Sequence, residues 1–297
     1  MGNRHQIYSN PNLPQSALSN WVIFKHDSSA TFGLAVLLSI FSLAILSPII
    51  SGDPYIQDAT AHLIPPSWQP LGTPDYLLGT DILGRDLFSR LLNGASLTIG
   101  TATLVVTIAL LIGVALGVLS ATLRGPVQLI IMRTMDIILA IPSLVLSIIV
   151  VAILGTGLVN AGIAVTLVLV PNFVRLTSSY IIEELSKPYV HAARLDGAKQ
   201  ERILFKIILP NIAAPLILQT TISLSTAIID IAALGFLGLG AQAPLPEWGS
   251  MLSEARTSMY ASPWAVATPG FAILLTVFCI NLVGDGLNSA INSKSRT

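Results

Sequence analysis

Ionisable side chains are scarce in this chain of 297 residues, where only 10% are charged, so the few that fall in apolar surroundings are the first candidates for chemistry. Arg133, Asp136, Asp230 and Asp285 lie inside or beside long apolar runs. Paired aspartates can activate water, but Val283-Gly284-Asp285 supplies only part of a Gly-x-Gly-Asp signature. Leu282 stands where its first glycine belongs, and no partner motif accompanies it. Arg133 and Asp136 are three residues apart, one helical turn, and can pair with each other. Asp230 has no such neighbour on its own helix. An ionisable side chain in mid-bilayer costs about 3 kcal/mol unless paired. Asp230 is therefore expected to face a bundle interior or a second subunit, with a proton site in a secondary transporter as the alternative. The sequence contains no Gly-Lys dipeptide and hence no phosphate loop of the GxxxxGK[ST] type. His5, His26, His62 and His191 lack ligand spacing, so no metal site is proposed. No catalytic or cofactor-binding constellation is assigned, and a net charge of zero argues against nucleic acid as a partner.

A second group of candidates forms a polar island between two apolar runs, YVHAARLDGAKQERILFKIILPN, from Tyr189 to Asn211. Its charges, Arg194, Asp196, Lys199, Glu201, Arg202 and Lys206, keep it out of the bilayer. Pro188 suits the first turn of a helix, where a missing N–H costs little. Val190, Ala193 and Ala198 can line one side of a short helix pair, with Gly197 turning the chain between them. Beyond that glycine, Ile203, Leu204, Ile207 and Ile208 oppose Arg202 and Lys206. This pattern predicts an amphipathic second helix that Pro210 ends.

The elements that position these residues are membrane helices. A hydrophobic content of 53% and a mean hydropathy of +0.77 leave far fewer charges than the roughly 25% of an ordinary soluble domain. Apolar stretches of about 20 residues account for the deficit. The expected organisation is a polar tail over 1–30 with an interfacial segment around Trp21, Phe24 and Lys25, then a first span over 31–50. A long external segment follows over 51–96. A core over 97–287 holds five further spans, with the polar island, 187–210, between the fourth and fifth, and a short tail occupies 288–297. The core spans are read at about 97–120, 127–154, 158–176, 212–238 and 265–283. The segment 177–187 is expected to continue the fourth span as helix. Gly113 and Gly117 form a GxxxG spacing that admits a close helix neighbour. Pro142 and Pro171 read as kinks. The polar lead is too long for an ordinary signal peptide, so the first span is expected to be retained. The tryptophans, 21, 68, 248 and 264, fall outside the span cores, where aromatic belts form. Ten Lys and Arg residues fall in the connections that hold both termini and the polar island (4, 25, 124, 187, 194, 199, 202, 206, 294 and 296). Three (85, 90 and 256) fall in the others. That bias puts both termini and the island on the cytoplasmic side. Cys279 lies in an apolar run and cannot form an internal disulfide.

Four stretches resemble one family. The order Ala192-Ala193, Gly197, Ile207, Leu209-Pro210 is similar to the cytoplasmic coupling loop of bacterial ABC importer permeases, although His191 stands where those proteins usually have Glu. LGTDILGRDLFSRLLNGASL, Leu78 to Leu97, resembles the segment before the second core helix in the second permease subunit of peptide and nickel transporters. DIAALGFLGLGAQAPLPEWGSML, Asp230 to Leu252, resembles that subunit's fifth helix and the loop after it. NLVGDGL, Asn281 to Leu287, is similar to its last helix. RLDGA, Arg194 to Ala198, resembles the dipeptide and antimicrobial-peptide (Sap-type) branch. The tail NSAINSKSRT lacks the family's acidic Asp-Pro ending.

The resemblance implies an all-α integral membrane protein with six transmembrane helices and the type I ABC importer permease fold. It implies a non-catalytic subunit of the bacterial inner membrane that forms a pore with a sister permease. Two ATP-binding subunits would hold ATP and magnesium, and a periplasmic substrate-binding protein would deliver a peptide. Nickel, polyamine and haem are the alternative cargoes. The coupling residues it implies are Tyr189, Val190, His191, Ala192, Ala193, Gly197, Ala198, Ile207, Leu209 and Pro210.

Overall fold

The computed structural model describes residues 20–123 and 125–292, all helix and connecting loop apart from one isolated bridge between Thr80 and Asp86. The first 19 residues of the expected tail over 1–30, Arg4 among them, lie outside the described residues, as do Arg124, Lys294 and Arg296. Eleven α-helices follow in order among those residues. They are α1 (Asn20–His26), α2 (Ser28–Ile50), α3 (Leu87–Thr122), α4 (Pro126–Leu139), α5 (Ser143–Leu154), α6 (Leu158–Leu185), α7 (Pro188–Leu195), α8 (Gln200–Ile203), α9 (Leu209–Phe236), α10 (Trp248–Ala255) and α11 (Pro263–Asn292). Five stretches are long and apolar enough to cross a bilayer: α2, α3, α6, the run Gln200–Phe236 and α11. The pair α4 and α5 makes a sixth if the two count as one broken span.

Helix starts follow the local sequence. Asp27 caps α2, accepting from the Ser29 and Ala30 amides, and Asp86 caps α3, accepting from Phe88 and Ser89. Each cap satisfies amides that have no partner within the helix and contributes about 1 kcal/mol. Because Asp86 sets the start, α3 begins ten residues before the expected Leu97. At 36 residues it is about 54 Å long, more than a hydrocarbon core requires. Residues 28–30 likewise belong to the first helix rather than to a tail.

Two expectations fail for physical reasons. The third span, 127–154, is not one helix: α4 and α5 meet at 96°. Pro142 caps α5 in an extended conformation and disfavours a helical residue before it, so hydropathy runs on where the backbone turns. Pro210 does not end the island's second helix. Leu204–Ile208 is a turn of π-helix, with the Leu209 amide bonded to the Leu204 carbonyl, and the helix runs on into α9. The wider turn makes room for a ring that would strike the carbonyl four residues back in a regular helix.

The core is built on α3 and α6, the most extensive helix pair. Gly113 lies against Val170 and Phe173, and Gly117 against Val174 and Thr177, so the two helices run parallel. A methyl group at either glycine would meet side-chain carbon of α6, which is the close approach the GxxxG spacing announces. Ala102, Val105, Val106 and Ala109 of α3, Val165, Leu169 and Phe173 of α6, and Ile228 and Ile231 of α9 bury together around this seam. Apolar side chains on the outside, such as Ile45, Ile49, Ile153 and Val159, remain exposed, as suits helices solvated by lipid.

Candidate functional site

At the end of the bundle where α3 and α6 finish, the polar island is a tethered short helix. Glu184, in the last turn of α6, is nearly buried. It receives Lys187 Nζ at 2.5 Å and the Tyr189 hydroxyl, and Asn211 Nδ2 donates to that same hydroxyl at 3.0 Å. Tyr189, in the first turn of α7, thus joins the end of α6 to the start of α9. The hydrogen bond to Glu184 pushes the Lys187 amine up from its ordinary value. Val190 is fully buried with Ala121, Ile181, Ile203, Leu204, Ile208 and Ile212, and Ala198, Ile207 and Leu209 pack on that cluster.

The rest of α7 faces outward. Tyr189, His191, Ala192, Arg194 and Leu195 are exposed, Leu195 at 89%, and Ala193 is half-buried. Gly197 sits at φ +79°. Its amide bonds the Arg194 carbonyl at 3.0 Å and the Ala198 amide bonds the Ala193 carbonyl at 3.0 Å, the paired bonds of a glycine-terminated helix. A Cβ there would meet nothing within 4 Å, so the backbone conformation alone asks for glycine. Of the ten residues picked from sequence, Val190, Ala198, Ile207 and Leu209 anchor the segment. Tyr189 ties its two legs, and His191, Ala192, Gly197 and Pro210 are exposed.

The membrane charges divide differently from expectation. Arg133 Nη1 is 3.9 Å from Asp136, but the nearer partner is Arg175 Nη2 on α6, at 3.3 Å. All three side chains are open, at 74%, 40% and 57% exposure for Arg133, Asp136 and Arg175. Beside them lies a recess of about 470 Å³ lined by Met132, Arg175, Ser178, Ser179 and Ile182. Asp230 is buried in the chain's own interior, with Oδ2 lacking a hydrogen-bond partner.

The opposite end holds a charge cluster that the sequence reading passed over. Arg85 reaches Asp81 at 2.7 Å and Glu254 at 2.5 Å, and Arg90 reaches the same two carboxylates at 3.2 and 2.9 Å. Both guanidiniums are almost fully buried. Next to it Glu247, wholly buried, caps α10 through the Ser250 amide and accepts from the Thr98 hydroxyl at 3.0 Å. Burial pushes its carboxyl up, while the Gly249 and Ser250 amides and Thr98 pull it back. Trp248 is buried and donates to the Leu91 carbonyl at 3.0 Å, so it is a packing anchor and not part of an aromatic belt. Gly249 lies against the backbone of Ala232 on α9. The available signal was two arginines in a segment where the charge bias leaves few basic residues.

Residues 113–297 match the family described as binding-protein-dependent transport system inner membrane component. The chain belongs to this family. Residues 19–66 match the N-terminal TM domain of oligopeptide transport permease C. The chain is similar to the di/tripeptide transport system permease protein DppC of Pseudomonas aeruginosa, at 47% identity over 96% of this chain and 95% of that one. It is similar to the peptide transport system permease protein SapC of Escherichia coli O6:H1, at 44% over 96% and 97%. The inward-facing methionine ABC transporter MetNI shares its fold, with a TM-score of 0.57, 21% identity and coverage of 71% of this chain and 98% of that one. The fold is therefore the type I ABC importer permease fold, and the protein is a multi-pass membrane permease.

Proposed function

We propose that the chain is one of two permease subunits of an ATP-driven peptide importer in the bacterial inner membrane, with both termini and α7 on the cytoplasmic side. One observation carries the reading. A short helix is anchored through Val190 and tied through Tyr189, yet it presents Leu195 and a glycine turn outward at the end of the bundle. Such a segment suits a cleft on a partner, and the family supplies the partner class: two ATP-binding subunits, which would hold ATP and magnesium. The permease itself would neither bind nor hydrolyse ATP. A sister permease would complete the pore, and a periplasmic binding protein would deliver cargo to the opposite end. The peptide cargo rests on the printed names of the near full-length relatives.

The buried, unpartnered Asp230 favours a second reading, proton-driven transport by this chain alone. Reconstitution of the chain with and without its partners decides between them. Peptide uptake that needs ATP, tracks the ATPases and ignores an imposed proton gradient supports the first reading. Gradient-driven uptake without ATP, abolished by Asp230→Asn, supports the second.

A further inference from the structure

The trio Arg133, Asp136 and Arg175 has an arrangement that a structural ion pair does not require. Two guanidiniums share one carboxylate, leaving a net positive charge, and none of the three is buried. Asp136 is the one acidic side chain within reach of Arg175 among the described residues. A guanidinium carries five donors in a planar fork, so most of those on Arg175 and Arg133 are free for an anion. These groups lie towards the end of the apolar length of the bundle. Arg175 is about 15 Å along α6 from its end at Leu185. Exposed guanidiniums beside an apolar span turn to water or to a protein neighbour rather than to lipid tails.

The recess beside Arg175 is shallow and open and of mixed lining, with Ser178 and Ser179 beside the apolar Met132 and Ile182. Its volume falls in the range of small-ligand sites. Ser178 is held by α3 through Ser120 Oγ at 3.4 Å, so the floor of the recess belongs to the α3–α6 seam and is positioned by it. A positively charged recess flanked by apolar side chains suits a small zwitterion whose anionic end meets arginine.

We propose that this trio is an anion-docking station on the transport path, which takes the terminal carboxylate of the peptide as it passes. Arg175 is the principal donor. Asp136 is an internal stand-in that occupies the guanidiniums between cargoes and competes the carboxylate off again. This rests on the peptide reading above. Competition by Asp136 makes the site weak enough to release what it holds, a requirement of any intermediate station on a transport path.

The test uses the whole transporter, with sister permease, ATPases and binding protein, in vesicles of zwitterionic lipid. Uptake is measured for a peptide and for its C-terminal amide, each at a concentration that saturates the binding protein. Arg175→Gln should lower the acid-to-amide uptake ratio about tenfold, as loss of a charge-assisted hydrogen bond implies. Arg175→Lys should restore part of the ratio. Asp136→Asn should move the other way, lowering the KM for the free acid together with its kcat, because the competitor is gone. Equal losses on both peptides, or no change on either, would overturn the proposal. So would a loss, equal for both peptides, that appears only when anionic lipid is added, which assigns the arginines to headgroup phosphate. If the parent complex imports neither peptide but moves another cargo, the peptide reading fails and the docking station fails with it. If the parent imports both and the ratio ignores Arg175, only the docking station fails.

Discussion

At one end of the molecule two arginines meet two carboxylates, all drawn into the protein and balanced in charge. Towards the end that carries α7, two arginines share one carboxylate in the open. The first arrangement has no charge left over for a ligand. It ties the loop before α3 to α10 across more than 160 positions of sequence. The second has donors to spare, with Arg175 at 3.3 Å and Arg133 at 3.9 Å from the one carboxylate. Buried pairs lose heavily when one member goes, because the survivor is stranded, whereas exposed pairs contribute little to stability. The same residue types therefore serve a fixed joint in one place and a site for exchange in the other.

The largest effect should come from breaking the joint. Arg85→Ala leaves Arg90 alone between Asp81 and Glu254, with one buried negative charge uncompensated, and should destabilise the detergent-solubilised subunit by about 3 kcal/mol or more. Thermal unfolding followed by fluorescence-detected gel filtration measures this. A melting temperature equal to the parent's would mean that the cluster holds nothing together.

Next in size is the coupling end. Gly197→Val should place a β-branched residue at positive φ, costing about 1 kcal/mol or more. It should reduce co-purification of the ATPases while leaving the membrane level of the permease unchanged. Gly197→Asn tolerates that backbone and has room, so it should recruit ATPases nearly as the parent does. If valine and asparagine behave alike, the turn is not what presents α7.

A smaller effect separates the two ends by pH. The Glu247 carboxyl is raised, so its neutral form is favoured in the folded state. The stability it contributes is present below the ordinary glutamate value of about 4.3 and is lost as pH rises through the folded value. Melting temperature should therefore fall across that window, and Glu247→Gln should flatten the slope. An unchanged slope in the variant would assign the pH dependence elsewhere. Smallest of all, Arg133→Gln should change stability by no more than about 0.5 kcal/mol, since Arg133 is open to solvent and 3.9 Å from its partner. A loss comparable to that of Arg85→Ala would erase the distinction between joint and site.

Hydropathy located the membrane helices because an apolar run of 20 residues has few alternatives to crossing a bilayer. It failed at Ile141-Pro142, where apolar residues continue on both sides of the proline while the backbone turns through 96°. Gly113 and Gly117 announced their own neighbour, since a missing side chain at helical spacing says that another helix comes close. Pro210 misled because the rule that proline stops a helix assumes a regular turn before it, and Leu204–Ile208 is not regular. The polar island was legible through its charges and Gly197. Glu184, which fastens it, was not, since nothing in the sequence separates it from the exposed Glu183. Asp81 and Arg85 stood four residues apart with Arg90 close behind, but the cluster escaped because its fourth member, Glu254, comes from a segment more than 160 positions away.

The π turn before Pro210 has a mechanical consequence. Because it lets the chain pass the proline without a break, Gln200 to Phe236 is a single rod about 55 Å long. One end of the rod carries Ile203 and Leu204, seated against Val190, and Ala232 near the other end is in backbone contact with Gly249. A lever with a loose hinge would absorb a small displacement at the coupling end. This one is continuous helix from one seat to the other, so a shift of α7 would be carried towards the loop that Trp248 and Glu247 fasten at the opposite end of the bundle.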